Sequence, residues 1–539
     1  MDCRVNNNVS PDAIFYIKSV FDNNRNREFL VDSQTGTRLT FEQMHLHAIA
    51  IAQDLNRRGI NKGDRVAIVL ENSLAIALIY FGCLYAGIVT VPINTSFHTE
   101  DLNYIIEHSG ASLLVVSKNT LAKINITQLQ KNTIKLLMLQ MDGNNNKDYS
   151  TFLEPWDILK LPFDFQFQSF NNVFSDDILT IIYTSGTTSK PKGVVHRIVN
   201  LIDNARLFVK VLDLDTRNRF YGILPMTYLG GYYNLLLLPF VAGSSVVISR
   251  AFDAQLALEF WKIAKEYDVN TLWLVPSILS ILMKIDRSDE GEKFCREKVK
   301  KVLVGTAPLT DKLKRDFEQK YNVVMYENYG LSETLFISSN SFAIPQQKGC
   351  VGKILPGVEV SILKEDGEVV SSQSEGEIFV RTPYLMKGYY NADTQMPNFI
   401  DNKDLFATGD IGIITELGDL FITGRKKDLI IRGGVNISPA AIEDVLNEYA
   451  SVERGVVVGT PHEVYGEDIT AVVKLKDEYK ADQNLEKIKN FCNHRLADAC
   501  KIGQVLVIDE FPLGATGKVL KRQIKDFAIN KLAYKVIDG

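Results

Sequence analysis

The sequence predicts a mixed α/β fold, with a large N-terminal part of two doubly wound α/β layers and a small separate α+β unit behind it. Two patterns carry this expectation. Short apolar runs rich in β-branched residues alternate with helix-length stretches through the first two-thirds of the chain, as in parallel sheets covered on both faces. From about residue 349 the pattern changes to short alternating strands with Gly-rich turns. A chain of 539 residues also exceeds what one compact core supports, so at least two domains are expected.

Each element has a local reason. Residues 65–70, 112–116, 178–183, 271–275 and 301–304 are apolar runs of strand length. Two uncharged runs, 74–93 and 228–248, are each long enough to cross a bilayer, but both are interrupted. In the first, a helix should reach Ala86, be capped by Gly87, and give way to β-branched Ile88-Val89-Thr90-Val91 before Pro92. In the second, helical residues 235–242 should stop at Gly243 and a strand should occupy 245–248. Helix, glycine, buried strand is the reading of both, so no transmembrane segment is expected. Residues 349–423 predict a small distorted β-barrel or antiparallel sheet. After GRKKDLIIRGG the chain resumes mixed α/β, with helices at 439–448 and 485–497 and strands at 455–459 and 469–475. The expected domains are 1–424 and 429–539, joined at 425–428.

Composition excludes several function classes. A formal net charge of -5 leaves no broad basic face for phosphate backbones, so nucleic acid is not an expected partner. The six cysteines are scattered, with no CxxC pair and no His at metal-ligand spacing, and read as reduced thiols. The first residues lack the apolar core and cleavage site of a secretory signal. A cytoplasmic enzyme acting on small molecules is the expectation.

The strongest chemical signal is Tyr183-Thr-Ser-Gly-Thr-Thr-Ser-Lys-Pro-Lys-Gly193, in which an apolar strand runs into a loop of hydroxyls, glycine and lysines. Exposed backbone N–H groups and Ser/Thr hydroxyls can donate to phosphate oxygens while Lys190 or Lys192 offsets their charge. It is not a Walker loop, because Lys192 follows Pro191 and precedes Gly193.

On this loop the chain resembles the adenylate-forming superfamily of acyl-CoA synthetases, peptide-synthesis adenylation domains and beetle luciferases, whose signature is [ST]SG[ST]TGxPKG. Ser189 stands where that family carries a glycine. Four further segments follow in the family's order, so the resemblance covers nearly the whole chain. It implies that Thr184, Ser185, Gly186, Thr187, Thr188 and Lys192 contact the phosphates of ATP. In VGTAPLT it places Gly305, Thr306 and Ala307 against the adenine and the acyl pocket. In Tyr326-Glu-Asn-Tyr-Gly-Leu-Ser-Glu-Thr334 it makes Tyr329 the adenine-stacking ring, with Glu327, Asn328 and Gly330 beside it, Ser332 a phosphate contact and Glu333 the Mg²⁺ ligand. Thr187 is the second metal-side residue. A hard cation bridging phosphates suits one carboxylate plus substrate oxygens. In Ala407-Thr-Gly-Asp410, Asp410 would accept from the ribose hydroxyls. In Gly424-Arg-Lys-Lys-Asp428, Arg425 would contact ribose and phosphate and Lys427 would be the hinge. In Pro512-Leu-Gly-Ala-Thr-Gly-Lys-Val519, Lys518 would enter the site during adenylation.

The implied activity is ATP- and Mg²⁺-dependent joining of a carboxylic acid to AMP, then transfer of the acyl group to a thiol, catalysed through Lys518, Glu333 and Thr187. The resemblance implies an N-terminal AMP-binding domain and a mobile C-terminal one. It also puts Tyr228, Gly231, Val304 and Leu331 at the acyl pocket, and Gly433 and Gly434 on the thiol path. Residues 431–439 are more similar to acyl-CoA ligases than to peptide-synthesis domains, which favours coenzyme A. Residues 225–234 hold no acid for an α-ammonium. Competing readings are a ligase that loads a carrier-protein phosphopantetheine, an inactive nucleotide-binding sensor, and a luciferase-like oxygenase.

Overall fold

A computed structural model describes residues 12–125, 134–139, 154–162, 170–184, 190–341, 349–364, 366–370, 373–401, 403–479, 484–514 and 519–537. The interrupted apolar run is built as the breaker residues dictate. Ser73 accepts the Ile76 amide at the start of helix Leu74–Ala86, and Gly87, at φ 67°, ends it in the left-handed conformation. The chain then enters strand Val89–Pro92, which is buried throughout.

That strand lies inside a nine-stranded sheet in the order Met396–Phe399, Gly388–Asn391, Lys192–Arg197, Ile178–Thr184, Val89–Pro92, Arg65–Val69, Leu113–Val116, Lys135–Leu139 and Glu154–Trp156. The first four pair antiparallel and the rest parallel. A thirteen-stranded sheet packs beside it. Its parallel part runs through Met325–Leu331, Lys301–Val304, Thr271–Leu274, Arg219–Gly222, Ser245–Ile248 and Glu28–Asp32. Its antiparallel part holds Leu335–Ser339, Cys350–Ile354, Asp419–Arg425, Phe406–Ile414, Gly376–Arg381 and Glu359–Leu363, and Arg38–Thr40 pairs antiparallel with Glu28–Asp32 at the far edge. One strand belongs to both: Met325, Tyr326 and Glu327 pair in parallel with 302–304, while Asn328 to Leu331 pair antiparallel with 335–339. Parallel sheets bind ligands beyond the C-terminal ends of their strands, and this switch lies at such an end.

The remaining chain forms its own small sheet, Val435–Ile437, Ile430–Arg432, Gly466–Leu475 and Val452–His462, with Gln504–Val507 parallel to Gly466–Leu475. Separate apolar clusters fill it, one around Ile442, Val457 and Ala471 and one around Val456, Val472 and Ile524. It meets the larger part where Lys312 donates to the Asn447 carbonyl at 3.0 Å, Lys284 pairs with Glu453, and Ser438 donates to the Thr423 carbonyl. Among the described residues, no helix is long and apolar enough to cross a membrane.

The structure corrects several sequence expectations. The antiparallel strands after residue 349 are continuous with a parallel sheet through 325–331 and do not stand alone. Strands Gly388–Asn391 and Met396–Phe399 leave them altogether, because Tyr389 registers against Val194 and Lys387 donates to the Val195 carbonyl at 2.8 Å. Residues 233–237 form a π-helical turn before helix Leu238–Val241. The helix expected over 485–497 is Leu485–Asn493, since the Asn493 side chain binds both backbone groups of Ile502 and turns the chain. The strand expected at 455–459 extends over Val452–His462, because its partner Gly466–Leu475 satisfies the whole length.

Packing supports the switch strand from below. Phe336 stacks on Phe208 with ring centroids 3.8 Å apart and lies 5.5 Å from both Trp273 and Tyr233. The Asn204 side chain binds both backbone groups of Phe336 and also accepts from the Tyr233 hydroxyl at 2.8 Å. Phe336→Ala should therefore cost about 3–5 kcal/mol, read as a lower denaturant midpoint; a change under about 1 kcal/mol would show that this ring is not a packing centre.

Candidate active site

The antiparallel register sets Asp410 directly opposite Arg425. Arg425 Nε lies 2.7 Å from Asp410 Oδ1, and the Tyr329 hydroxyl donates to Oδ2 at 2.7 Å. Asp410 is 1% exposed whereas the Arg425 side chain is 46% exposed, so a desolvated anion is anchored to a cation that still reaches solvent. Burial, with the Asp410 charge second, raises the Tyr329 hydroxyl above its usual range, so this phenol stays a donor. Gly409, at φ 71°, makes the turn that aims Asp410, and Thr408 accepts the Asp410 amide at 3.1 Å. Three segments distant in sequence thus bond to one another through one carboxylate.

Tyr329 continues into the turn that carries Ser332 and Glu333. Two features fix this turn. Leu335 sits at φ 59°, an outlier for a branched side chain, and a Cβ on Gly330 would run into the Leu335 carbonyl. Three contacts then hold Glu333 and its neighbour. The Tyr389 hydroxyl donates to Glu333 Oε1 at 2.9 Å, the Met386 amide donates to the Glu333 carbonyl at 2.7 Å, and His196 Nε2 donates to the Ser332 carbonyl at 2.6 Å. Burial pushes the His196 imidazole down to about 4, opposed by the Ser332 bond, so it is neutral near pH 7 with its proton placed on Nε2 by that carbonyl. Its Nδ1 is buried without a partner among the described residues. Lys192 Nζ lies 5.4 Å from the Tyr389 ring centre, and Lys192 registers against Thr184 across the base of the hydroxyl-rich loop.

The loop after strand Lys301–Val304 closes the opposite side. Asn328 donates to the Val304 carbonyl at 2.9 Å, and Gly305 leaves room that a Cβ would take from the Asn328 amide. Thr306 adopts φ 71°, a costly conformation for a β-branched residue and a mark of a shaped site. The Glu327 carboxylate meets Lys314 at 2.7 Å from helix Asp311–Tyr321, and burial raises Glu327 despite that partner. Val304 is buried at its strand end and Leu331 is half-buried. Tyr228 lies past the end of strand Arg219–Gly222 in the same sheet, where burial raises its hydroxyl, and a Cβ on Gly231 would strike the Pro225 carbonyl. The loop holding Tyr228 is pinned to the other sheet by Asn72, which accepts from the Met226 amide at 2.7 Å, and by the Tyr80 hydroxyl on the Met226 carbonyl at 2.8 Å.

Gly433 and Gly434, at φ 58° and 83°, form the two-residue turn of hairpin 430–437, a pair of left-handed positions that suits glycine. Lys427 is exposed in the short turn Lys426–Asp428. Ser185, Gly186, Thr187, Thr188, Ser189 and Lys518 lie outside the described residues. The chain on either side of Lys518 is closed by pairing of Leu513 with Val519.

No group of three or more His, Cys, Asp or Glu side chains gathers to hold a metal among the described residues. Asp410 is paired with Arg425 and Glu327 with Lys314, whereas Glu333 Oε1 accepts from the Tyr389 phenol. That donor set does not make an all-protein cage, but it fits a Mg²⁺ that arrives on substrate phosphates. Tyr389 and His196 carry no motif signal in the sequence, because each acts across long-range strand pairing. The only cue is that each lies beside a recognisable segment.

Comparison with known proteins bears on the family and the fold. The family model described as AMP-binding enzyme matches residues 18–390, and that described as AMP-binding enzyme C-terminal domain matches 441–518. A 2-succinylbenzoate–CoA ligase of a Geobacillus species is 30% identical over 91% of this chain and 93% of its own. The long-chain-fatty-acid–CoA ligase FadD13 of Mycobacterium tuberculosis is 28% identical over 92% of this chain and 94% of its own. The ATP-bound structure of MatB from Rhodopseudomonas palustris superposes with a TM-score of 0.84 at 25% identity, covering 96% of this chain and 99% of that one.

The carboxylate at 410 should govern nucleotide affinity. Asp410→Asn removes a charge-assisted pair of about 1.5–3 kcal/mol, so ATP should bind about 10- to 100-fold more weakly by calorimetry. Unchanged affinity would remove Asp410 from the nucleotide site.

Proposed function

This chain belongs to the AMP-binding enzyme family, and from that premise we propose that it is an AMP-forming carboxylic acid:CoA ligase. Two half-reactions share one cleft. In the first, a carboxylate oxygen attacks the α-phosphorus of ATP, the bond from that phosphorus to the β-phosphate bridge breaks, and pyrophosphate leaves. In the second, the coenzyme A thiol gives up its proton, its sulfur attacks the acyl carbon, and AMP departs.

The observation that carries this reading is the bonding of Tyr329, Asp410 and Arg425 beside the Glu333 turn. Asp410 accepts from the ribose hydroxyls while Arg425 keeps it ionised. The Tyr329 ring and the Gly305, Thr306, Ala307 backbone hold the adenine between them, and Asn328 and Gly330 shape its edge. Thr184 and Lys192 flank the loop whose hydroxyls and amides, Ser185 to Thr188, receive the phosphates. Ser332 contacts the α-phosphate. Glu333, with Thr187, would hold Mg²⁺, which when bound draws charge from the phosphate oxygens. Lys518 is the cation that brings carboxylate and phosphate together and stabilises the charge that develops between them.

We place the domain boundary at 425–428 with Lys427 as the hinge, so that rotation removes Lys518 and brings Gly433 and Gly434 to the thiol path. The larger part, 1–424, keeps the nucleotide. Tyr228, Gly231, Val304 and Leu331 line the acyl pocket. Residues 225–234 hold no acidic side chain, which favours an acid without an α-ammonium. The buried, unpaired thiols of Cys83, Cys295, Cys350 and Cys492 suit a reducing compartment, and the cytoplasm is the proposed location.

A pyrophosphate-release screen over long-chain, aromatic and amino acids, with and without coenzyme A, tests this reading. At least one acid lacking an α-ammonium should release pyrophosphate, with a thioester formed only when coenzyme A is present. Release without a thioester, restored by a phosphopantetheinyl carrier protein, would replace the acceptor; no release with any acid would refute the ligase. Lys518→Ala should slow adenylation about 10²- to 10³-fold and leave thioester formation from supplied acyl-adenylate unchanged. Equal losses in both half-reactions would contradict the two-position hinge.

A further inference from the structure

Ser332 and Glu333 are each held by a contact from a strand of the nine-stranded sheet, while the turn that carries them belongs to the thirteen-stranded one. The contact nearest the chemistry is the least expected. His196 is wholly buried on strand Lys192–Arg197, the strand that returns from the hydroxyl-rich loop, and its Nε2 reaches across to the Ser332 carbonyl at 2.6 Å. A peptide carbonyl fixed from outside its own strand sets the plane of the Ser332–Glu333 peptide, and so the origin from which the Glu333 side chain extends. Tyr389 registers against Val194 on the same strand and fixes the far end of that side chain at Oε1. Strand Lys192–Arg197 therefore fixes the peptide that precedes Glu333, its neighbour Gly388–Asn391 fixes the carboxylate, and its own first residue is Lys192 at the base of the phosphate loop.

We propose that His196 is a positioning residue for adenylation: its bond to the Ser332 carbonyl sets the Glu333 carboxylate for a Mg²⁺ that arrives on substrate phosphates. The inference rests on the ligase reading. Its chemistry is that of an outer partner which orients a ligand without touching the metal. The Leu335 backbone strain at φ 59° supplies the reason a tether is needed, since without it the turn has a lower-energy conformation to relax into.

Reach separates this role from packing. Gln can place its amide nitrogen near the position of imidazole Nε2, whereas Asn places its nitrogen near Nδ1, short of the carbonyl. In wild-type enzyme, Mg²⁺-dependent pyrophosphate release is first established; its absence would refute the ligase reading itself. His196→Asn should then raise the Mg²⁺ concentration for half-maximal pyrophosphate release about tenfold. It should diminish, by a similar factor, the gain in ATP affinity that Mg²⁺ gives in calorimetry. Metal-free ATP affinity and thioester formation from supplied acyl-adenylate should stay at wild-type values. His196→Gln should recover most of the Mg²⁺ response. Identical behaviour of the Asn and Gln variants, or a parallel fall of metal-free ATP affinity and both half-reactions, would overturn the proposal. So would failure of both variants to fold, which would make the bond one of stability alone.

Discussion

A carboxylate taken out of water must be paired, and in this protein the pairing of Asp410 organises the site around it. Its partners come from three different places in the chain: Tyr329 on the strand shared by parallel and antiparallel layers, Arg425 on the neighbouring antiparallel strand, and Thr408 on its own. Stranding Asp410 by loss of its partners would cost several kcal/mol, so the fold can satisfy it only by keeping these strands in register. The same register that stabilises the anion presents it, with a half-exposed arginine beside it, to whatever occupies the cleft. Stability and recognition are thus one arrangement here.

The second constraint is strain. Thr306 and Leu335, both branched, sit at positive φ on either side of the switch strand Met325–Leu331. Each would relax if its neighbours allowed it. The Phe336 stack, the Asn204 bonds and the His196 contact hold the Leu335 side rigid, and Asn328 braces the Val304 side. Rigidity of this kind is what phosphoryl-type chemistry requires, because positioning and fixed charge supply most of the rate. Among the described residues, the smaller C-terminal sheet meets the rest at polar contacts on Lys312, Lys284 and Ser438.

Much of this was legible in the sequence where the cause is local. Gly87 had to end a helix and does so at positive φ, and the strands at 301–304 and 245–248 have the bounds their apolar runs dictate. The motif segments around Tyr329, Asp410 and Arg425 were visible as a resemblance, and the structure brings those three side chains together. What stayed hidden depends on pairing over long distances. No local pattern says that 388–391 pairs with the strand leaving the phosphate loop, so one small barrel or antiparallel sheet was expected over 349–423, where two strands belong to the other sheet. For the same reason Tyr389 and His196 could not be found, and the Lys314 partner of Glu327 is visible only once helix Asp311–Tyr321 is packed.

The central claim is that these side chains gather around one nucleotide so that an acid attacks its α-phosphorus. Isotope transfer tests this most directly. With substrate acid labelled with ¹⁸O in its carboxylate and coenzyme A present, the account predicts AMP carrying one ¹⁸O per turnover, because the bridging oxygen of the adenylate comes from the acid and leaves with AMP. Label appearing in inorganic phosphate, or thioester formed with unlabelled AMP, would contradict it.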